Sequence, residues 1–208
     1  MMTEPAQYFP VLSEPLLIVI SGLSGAGKDS IINRMKERNQ PFHFVVTVTT
    51  RPPRDNEVEG ADYFFITQEQ FTHMVERGEL LEYAWLYDHY SGVPKEQVKQ
   101  ALASGKDVVL RLDVQGDATI QSLFPEALLI FLTVEDEAEL RHRLSTRRTE
   151  PLDKLEARIA KARQELECIE SFDYIVLNPR DRLDEAVNTI TSIIKAEHQR
   201  VHSRKVQP

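Results

Sequence analysis

Short apolar runs alternate with segments of helical periodicity along most of the chain. The runs expected to form strands cover 16–21, 44–49, 107–112, 127–134 and 174–177. Helical spacing of apolar residues is found near 29–39, 95–103, 136–148, 152–170 and 181–197. Because the strand candidates are almost continuously apolar, both of their faces should be buried between layers of helices. The pattern predicts an α/β fold built on a parallel sheet.

One stretch, from 50 to 94, breaks this alternation. It begins with a loop rich in proline and charge and continues through Tyr63-Phe64-Phe65-Ile66. A helix is predicted from about Gln68 to Arg77, and an aromatic run follows at 83–87. The change of pattern in the middle of an α/β chain indicates an inserted subdomain.

Composition narrows the possible classes of protein. With 208 residues, 41% of them hydrophobic, the chain is expected to bury one good core. The net charge of −8 gives no general attraction to nucleic acid or to an anionic membrane. Cys168 is the only cysteine, and no apolar run approaches the ~20 residues that span a bilayer. We therefore expect a cytoplasmic protein, a monomer or small homo-oligomer, with frayed tails at 1–14 and 199–208.

The strongest chemical signal directly follows the first predicted strand. Glycines at 22, 25 and 27 let the backbone wrap around an anion, so that successive N–H groups point inward. Lys28 adds a positive charge, and the dipole of the following helix faces the same anion. The sequence therefore predicts a phosphate-binding loop, or P-loop, for ATP. Its members are Gly22, Leu23, Ser24, Gly25, Ala26, Gly27, Lys28, Asp29 and Ser30.

The residue after the lysine departs from the usual P-loop pattern. A serine or threonine is expected there to bind Mg²⁺ through its hydroxyl, whereas this chain has Asp29 followed by Ser30. A carboxylate is a suitable hard ligand for Mg²⁺. Asp29 and Ser30 are therefore the predicted metal ligands, with Mg²⁺ accompanying ATP.

A second constellation lies in the inserted stretch. Arg51 and Arg54 are three residues apart in a segment stiffened by two prolines, and their guanidinium groups suit paired contacts to one phosphate. Tyr63 offers a further hydroxyl donor. Considered alone, this segment fits a charged surface loop equally well. The P-loop upstream favours the phosphate-binding interpretation, because a kinase needs a second phosphate site.

Several ordered motifs make the chain resemble guanylate kinases from about Pro15 to Ala196. These motifs are the P-loop, Val46–Arg54, Glu57–Phe65, Leu81–Ala84, Asp113–Gly116 and Asn178. The resemblance implies a P-loop NTPase three-layer sandwich with a parallel sheet, an inserted mixed α/β nucleoside-monophosphate-binding subdomain and a helical lid. It also implies transfer of the γ-phosphoryl group of ATP to GMP, in purine nucleotide metabolism.

The resemblance also assigns residues to roles. Arg51, Arg54 and Tyr63 match positions that hold the acceptor phosphate, and Thr47, Glu82 and Asp113 match positions around the guanine. A carboxylate at 82 can accept hydrogen bonds from both N1–H and the 2-amino group of guanine, a pair of donors that adenine lacks. Arg143, Arg147 and Arg158 match lid arginines that, with Lys28 and Arg51, are expected to carry catalysis, and Asn178 is assigned to ATP.

Besides Asp29, three positions depart from the family pattern. Ser91 replaces a tyrosine that contacts the phosphate, and Val93 lacks a hydroxyl expected near the guanine. Arg111 replaces the first acid of an Asp-x-Asp motif. Position 29 has an acid that the family pattern lacks, and position 111 lacks an acid that the pattern has. The two changes are therefore interpreted as a compensating exchange.

The predicted domain is a single unit at 15–198. Its core comprises 15–48, 102–141 and 164–198, with the GMP-binding subdomain at about 49–101 and the lid at about 142–163. Three alternatives remain. The run Lys28-Asp29-Ser30 also resembles ribose 1,5-bisphosphate phosphokinases of the same fold, guanylate kinase-like domains include non-catalytic binding modules, and a P-loop alone fits an ATPase switch.

Overall fold

The computed structural model describes residues 14–54, 57–86, 88–146 and 152–206, apart from the side chains of 152–154. The strands are β1 Leu17–Gly22, β2 His43–Phe44, β3 Thr47–Thr49, β4 Tyr63–Phe65, β5 Leu80–Leu86, β6 His89–Pro94, β7 Val108–Arg111, β8 Leu128–Thr133 and β9 Tyr174–Leu177. The helices are α1 Lys28–Glu37, α2 Gln68–Glu76, α3 Lys95–Ala103, α4 Val114–Leu123, α5 Glu137–Thr146, α6 Leu152–Leu166 and α7 Leu183–Glu197.

A five-stranded parallel sheet in the order β2-β7-β1-β8-β9 forms the centre of the molecule. Along β1, alternate side chains point into two different cores: Ile18 and Ile20 into one, Leu17 and Val19 into the other. The first core is closed by α1, α5, α6 and α7, and the second by α3 and α4. The sheet is therefore the middle layer of a three-layer sandwich, as the apolar strands predicted.

The second sheet has four strands in the order β4-β3-β6-β5 and belongs mostly to the predicted insertion. Only β3 and β4 are parallel in it, and β3, β6 and β5 pair antiparallel. Phe71 of α2 packs beneath it with Val48 and Leu80. The mixed sheet with its helix confirms the α/β character expected for this subdomain.

One local prediction was wrong, and some elements were missed. The strand expected at 44–49 is two strands, because the chain leaves the central sheet after Phe44 and enters the second sheet at Thr47. Helix α4 and strand β6 were both missed. Glycines at 116 and 92 obscure the apolar period in those two segments.

The C-terminal segment also differs from the frayed tail expected at 199–208. Arg204 is buried, donates to the carbonyl oxygen of Ala127 at 2.9 Å, and pairs with Glu197 at 2.7 Å and with Asp173 at 2.9 Å. Val206 packs against the second core. These contacts attach the segment to the sheet through residue 206. Within the described ranges, no helix is long and apolar enough to cross a membrane.

Candidate active site

The P-loop joins the end of β1 to the start of α1. Gly22 has a φ of +124°, and a Cβ atom there would lie 2.1 Å from the carbonyl oxygen of Leu132 on the neighbouring strand. Gly27, just before α1, has a φ of +93°. Both positions therefore require glycine, and the loop has the strand-turn-helix setting that the sequence predicted.

Lys28 folds back across this loop. Its Nζ atom donates to the carbonyl oxygen of Gly22 at 2.7 Å and lies 3.0 Å from Oδ1 of Asp113. Burial disfavours the charged amine, but the carboxylates of Asp113, Glu165 and Asp29 outweigh burial and hold the pKa of Lys28 above its ordinary value. The lysine therefore stays cationic at neutral pH, beside the phosphate-binding backbone.

The two arginines predicted to hold the acceptor phosphate line the same cleft as the P-loop. Arg51 makes two 2.6 Å bonds to the two carboxylate oxygens of Glu57, the fork geometry that a phosphate would also accept. Its guanidinium carbon lies 4.7 Å from the ring centre of Tyr63. Arg54 is half exposed, with Nη1 4.0 Å from Oδ2 of Asp29. The three residues predicted to hold the acceptor phosphate thus lie on one wall.

Arg111 lies between this wall and the P-loop. Its Nη1 atom donates to Oδ1 of Asp29 at 2.5 Å, and its Nη2 atom is 3.2 Å from Oγ1 of Thr47 and 3.3 Å from the carbonyl oxygen of Asp62. Its guanidinium carbon is 4.1 Å from the ring centre of Tyr63. The two departures suspected of compensating each other are therefore in direct contact.

Glu82 is buried on β5, with its carboxylate against the start of α4. A Cβ atom on Gly116 would lie 2.5 Å from Oε2 of Glu82, so only glycine leaves room for the carboxylate. Burial, followed by the charges of Asp113 and Asp117, raises the pKa of Glu82 to about 7. Glu82 therefore changes charge near neutral pH.

The lid side is organised around Arg143 of α5. Its Nε atom bonds Glu139 at 2.6 Å, and its two terminal nitrogens donate to the carbonyl oxygens of Ala26 at 3.2 Å and Asn178 at 2.9 Å. The Asn178 amide itself donates to Ala26 at 2.7 Å. Arg143 and Asn178 are thus held against the P-loop. Arg147 lies outside the described residues.

The predicted residues divide between two adjoining cavities. The main cleft is lined by Leu23, Ser24, Gly25, Gly27, Lys28, Asp29, Thr47, Arg51, Arg54, Tyr63, Glu82, Asp113 and Arg158. Gly25, Gly27, Ser30, Arg143 and Asn178 line the second cavity. Gly22 and Ala26 are buried in the frame of the loop.

The two predicted metal ligands do not converge. Asp29 faces the main cleft, whereas Ser30 faces the second cavity. Asp29 is already paired with Arg111, and the described part of the chain contains no cluster of three or more His, Cys, Asp or Glu residues that could hold a metal ion. These residues do not fit a metal site held by the protein alone.

Sequence reasoning missed two buried acids of the site. Glu165, on α6, accepts a 2.9 Å hydrogen bond from the backbone N–H of Ser24 in the P-loop. Neither carboxylate oxygen of Asp117 makes a well-formed hydrogen bond in the described structure; burial raises its pKa to about 7, although nearby Ser21 and Lys28 oppose that shift. No local motif marks Glu165, but Asp117 directly follows the Asp113–Gly116 motif, which was a visible signal.

Comparison with known proteins identifies a family. The sequence model of the family described as guanylate kinase matches residues 14–197. Over 194 residues the chain is 48% identical to guanylate kinase 2, chloroplastic/mitochondrial, of Oryza sativa subsp. japonica, covering 93% of this chain and 68% of that protein. It is 42% identical to guanylate kinase of Caldanaerobacter subterraneus subsp. tengcongensis, covering 94% of each.

A solved structure agrees with these relatives. The crystal structure of guanylate kinase from Anaplasma phagocytophilum superposes with a TM-score of 0.75 at 26% identity, over 91% of this chain and 89% of the other. The residues matched by the family model include the strands of both sheets and not the P-loop alone. The chain therefore belongs to the guanylate kinase family, and the guanylate kinases that it matches along most of its length support the activity of an ATP:GMP phosphotransferase.

Proposed function

We propose that ATP occupies the P-loop side of the main cleft and GMP the side of the four-stranded sheet, for transfer of the γ-phosphoryl group of ATP to GMP. One observation carries this assignment: Lys28, the acceptor residues Arg51 and Arg54, and the carboxylates of Glu82 and Asp113 all line a single cleft. Two phosphate-binding surfaces that open into one cleft bring donor and acceptor within reach of each other.

Guanine recognition is assigned to Glu82, with Thr47 and Asp113 beside it. The ionised Glu82 carboxylate accepts from two adjacent guanine donors, which gives the charge-assisted, bidentate contact that adenine cannot make. Thr47 is almost fully buried and adds a hydroxyl group. Binding of GMP therefore requires the deprotonated form of Glu82.

The acceptor phosphate is assigned to Arg51, Arg54 and Tyr63. Arg51 already has its two terminal nitrogens directed at the paired oxygens of Glu57, and the phosphate would compete for these donors. The hydrogen bonds to Arg51 and to the backbone of Arg54 outweigh burial and lower the pKa of Glu57, so its carboxylate remains ionised while the site waits for ligand. Exchange of one anion for another keeps the arginine in place.

The transfer needs positioning and charge neutralisation more than a general base. An oxygen of the GMP phosphate, already anionic, attacks the γ-phosphorus, and the bond to the β,γ-bridging oxygen breaks to release ADP. Lys28, Arg51, Arg143, Arg147 and Arg158 are assigned to stabilise the negative charge on the moving group. Closure of the lid and the inserted subdomain would exclude water.

Magnesium is assigned to the substrate and not to a resident site. Mg²⁺ commonly keeps several water ligands and binds through substrate phosphates, where it neutralises their charge. This assignment follows from the poor fit of Asp29 and Ser30 to a shared metal site. Localisation in the cytoplasm, a place in purine metabolism and a monomer or small homo-oligomer stay predictions.

The test is a coupled assay of ADP release with ATP and Mg²⁺, offered GMP, dGMP, AMP, UMP or ribose 1,5-bisphosphate. We expect turnover with GMP and its loss in Lys28→Ala, because the lysine contacts the donor phosphates. Turnover only with ribose 1,5-bisphosphate would reassign the acceptor to the sugar phosphate. Binding of GMP without turnover of any acceptor would favour a non-catalytic module, and ADP release independent of acceptor would favour an ATPase.

A further inference from the structure

Arg111 contacts the two halves of the cleft at once. It ends β7, where its register partner on β1 is Ile20, two residues before the P-loop begins. One terminal nitrogen reaches Asp29 at the start of α1, and the other reaches Thr47 on β3 and the backbone of Asp62 just before β4. One side chain therefore links the central sheet, the P-loop helix and the sheet of the acceptor subdomain.

The charges of this contact reinforce one another. Burial opposes the charge on Arg111, but Tyr63, Asp29 and Asp113 outweigh it, so the pKa of Arg111 is raised. The guanidinium also lies over the Tyr63 ring, a favourable position for a cation. A buried guanidinium that lost Asp29 would be left with an uncompensated charge, so each partner holds the other in place.

We propose that Arg111 is a positioning residue that fixes the acceptor subdomain relative to the P-loop, and that Asp29 anchors Arg111 and is not a ligand of magnesium. The part that concerns GMP rests on the proposed function, because it takes the β3–β4 region as the acceptor side. The Asp29–Arg111 bridge presets the distance between donor and acceptor phosphates before GMP arrives.

The existing contacts favour positioning over direct binding of phosphate. Both terminal nitrogens of Arg111 donate to protein acceptors, and only 13% of its side chain is exposed. Arg54, in contrast, has half of its side chain exposed in the same cleft. Arg51 is as little exposed, at 11%, but both of its terminal nitrogens are held by the one carboxylate of Glu57, which a phosphate can replace. Arg111 instead donates to three acceptors on three different segments. Phosphate binding is therefore assigned to Arg51 and Arg54, and Arg111 supports the wall that carries Tyr63.

The first test uses the ligand-free protein and does not depend on activity. Hydrogen–deuterium exchange is compared among wild type, Arg111→Met and Arg111→Lys. We expect faster exchange at 47–49 and 61–65 in Arg111→Met and an intermediate rate in Arg111→Lys, which keeps a charge for Asp29 but loses the fork. Arg38→Met is the matched control, because Arg38 pairs with Asp184 at 2.6 Å on the surface between α1 and α7.

The second test is steady-state kinetics on the same variants. Looser positioning of the acceptor wall should raise the KM for GMP roughly tenfold in Arg111→Met, with the KM for ATP unchanged and a lesser increase in Asp29→Asn. The single reversals Asp29→Arg and Arg111→Asp should each lose activity, and the double variant should recover part of it, because the ion pair is restored without the contacts to Thr47 and Asp62.

Each outcome separates the bridge from the proposed function. Faster exchange at β3 and β4 without any GMP turnover would support the bridge and contradict the function. Unchanged exchange and an unchanged KM for GMP would overturn the bridge and leave the function standing. A loss of kcat alone, with wild-type exchange, would show that Arg111 touches the transferred group. A magnesium requirement that depends strictly on Asp29 would restore Asp29 as a metal ligand. Either result overturns the proposal. Should Arg111→Met fail to fold, Arg111→Lys and Asp29→Asn decide.

Discussion

The raised pKa of Glu82 makes acceptor recognition depend on pH. An acid with a folded-state pKa of about 7 is mostly protonated one unit below that value and mostly ionised one unit above it. The protonated form offers one hydroxyl donor to guanine, whose N1–H and 2-amino groups are themselves donors. Catalytic efficiency with GMP should therefore rise with pH across the neutral range.

The magnitude follows from the ionised fraction. That fraction is about 9% near pH 6 and about 91% near pH 8, and apparent affinity scales with the competent fraction, so kcat/KM for GMP should rise about tenfold. The phosphate of GMP itself titrates near pH 6 and adds a second limb, at lower pH, to the pH profile of kcat/KM. The two limbs must be separated before either is assigned.

The matched variant is Glu82→Gln, which keeps the shape of the side chain and cannot ionise. We expect kcat/KM for GMP to fall about 100-fold, because the amide opposes one guanine donor with a donor of its own. The limb near pH 7 should vanish in this variant, while the limb from the GMP phosphate remains. Identical pH profiles of kcat/KM in wild type and Glu82→Gln would refute the assignment of Glu82 to the guanine.

Three further predictions concern packing and buried charge. In Gly116→Ala, the new Cβ would displace the Glu82 carboxylate, so initial-rate kinetics should give a KM for GMP about tenfold higher and an unchanged KM for ATP. Asp117→Asn should be more stable than wild type in urea unfolding, by an amount that grows from about pH 4 to pH 7 and reaches a few kcal/mol, because the raised pKa means that ionising Asp117 costs stability. Arg204→Met should lower the free energy of unfolding by about 3 kcal/mol, since buried Glu197 loses a partner, and a change no larger than in Arg38→Met would contradict the role of the C-terminal segment.

The sequence predicted the structure best where a pattern of neighbouring residues determines the local backbone conformation. The apolar run of β1 predicted a strand buried on both faces, and alternate side chains do enter different cores. The P-loop glycines predicted a backbone that wraps closely around an anion, and in the structure Gly22 and Gly27 have positive φ angles that glycine adopts without strain. In each case, the backbone conformation and the packing follow from residues adjacent in the chain, so reading along the chain was sufficient.

Prediction failed where the partner is distant or where the chain changes sheet. Phe44 and Val48 have the same strand preference, yet they belong to different sheets, because the change occurs at two residues with no breaker between them. Arg204 resembles a residue of a polar tail until Glu197, Asp173 and the carbonyl oxygen of Ala127 are brought beside it. Only the tertiary fold brings these groups together.

At Asp29, the local sequence pattern and a distant partner lead to different predictions. Considered locally, a carboxylate beside the P-loop lysine is a magnesium ligand, because Mg²⁺ prefers hard oxygen donors. In the fold, a guanidinium from 82 positions further along the chain lies 2.5 Å from one of its oxygens, and Arg54 is 4.0 Å from the other. A metal ion that used this carboxylate would compete with Arg111 and Arg54 for its negative charge, and weakening the ion pair of the buried Arg111 is costly. The negative charge that Asp29 brings to the cleft is therefore already balanced by the protein. Arg111 supplies the positive charge that the P-loop pattern alone would lead one to expect from the metal ion.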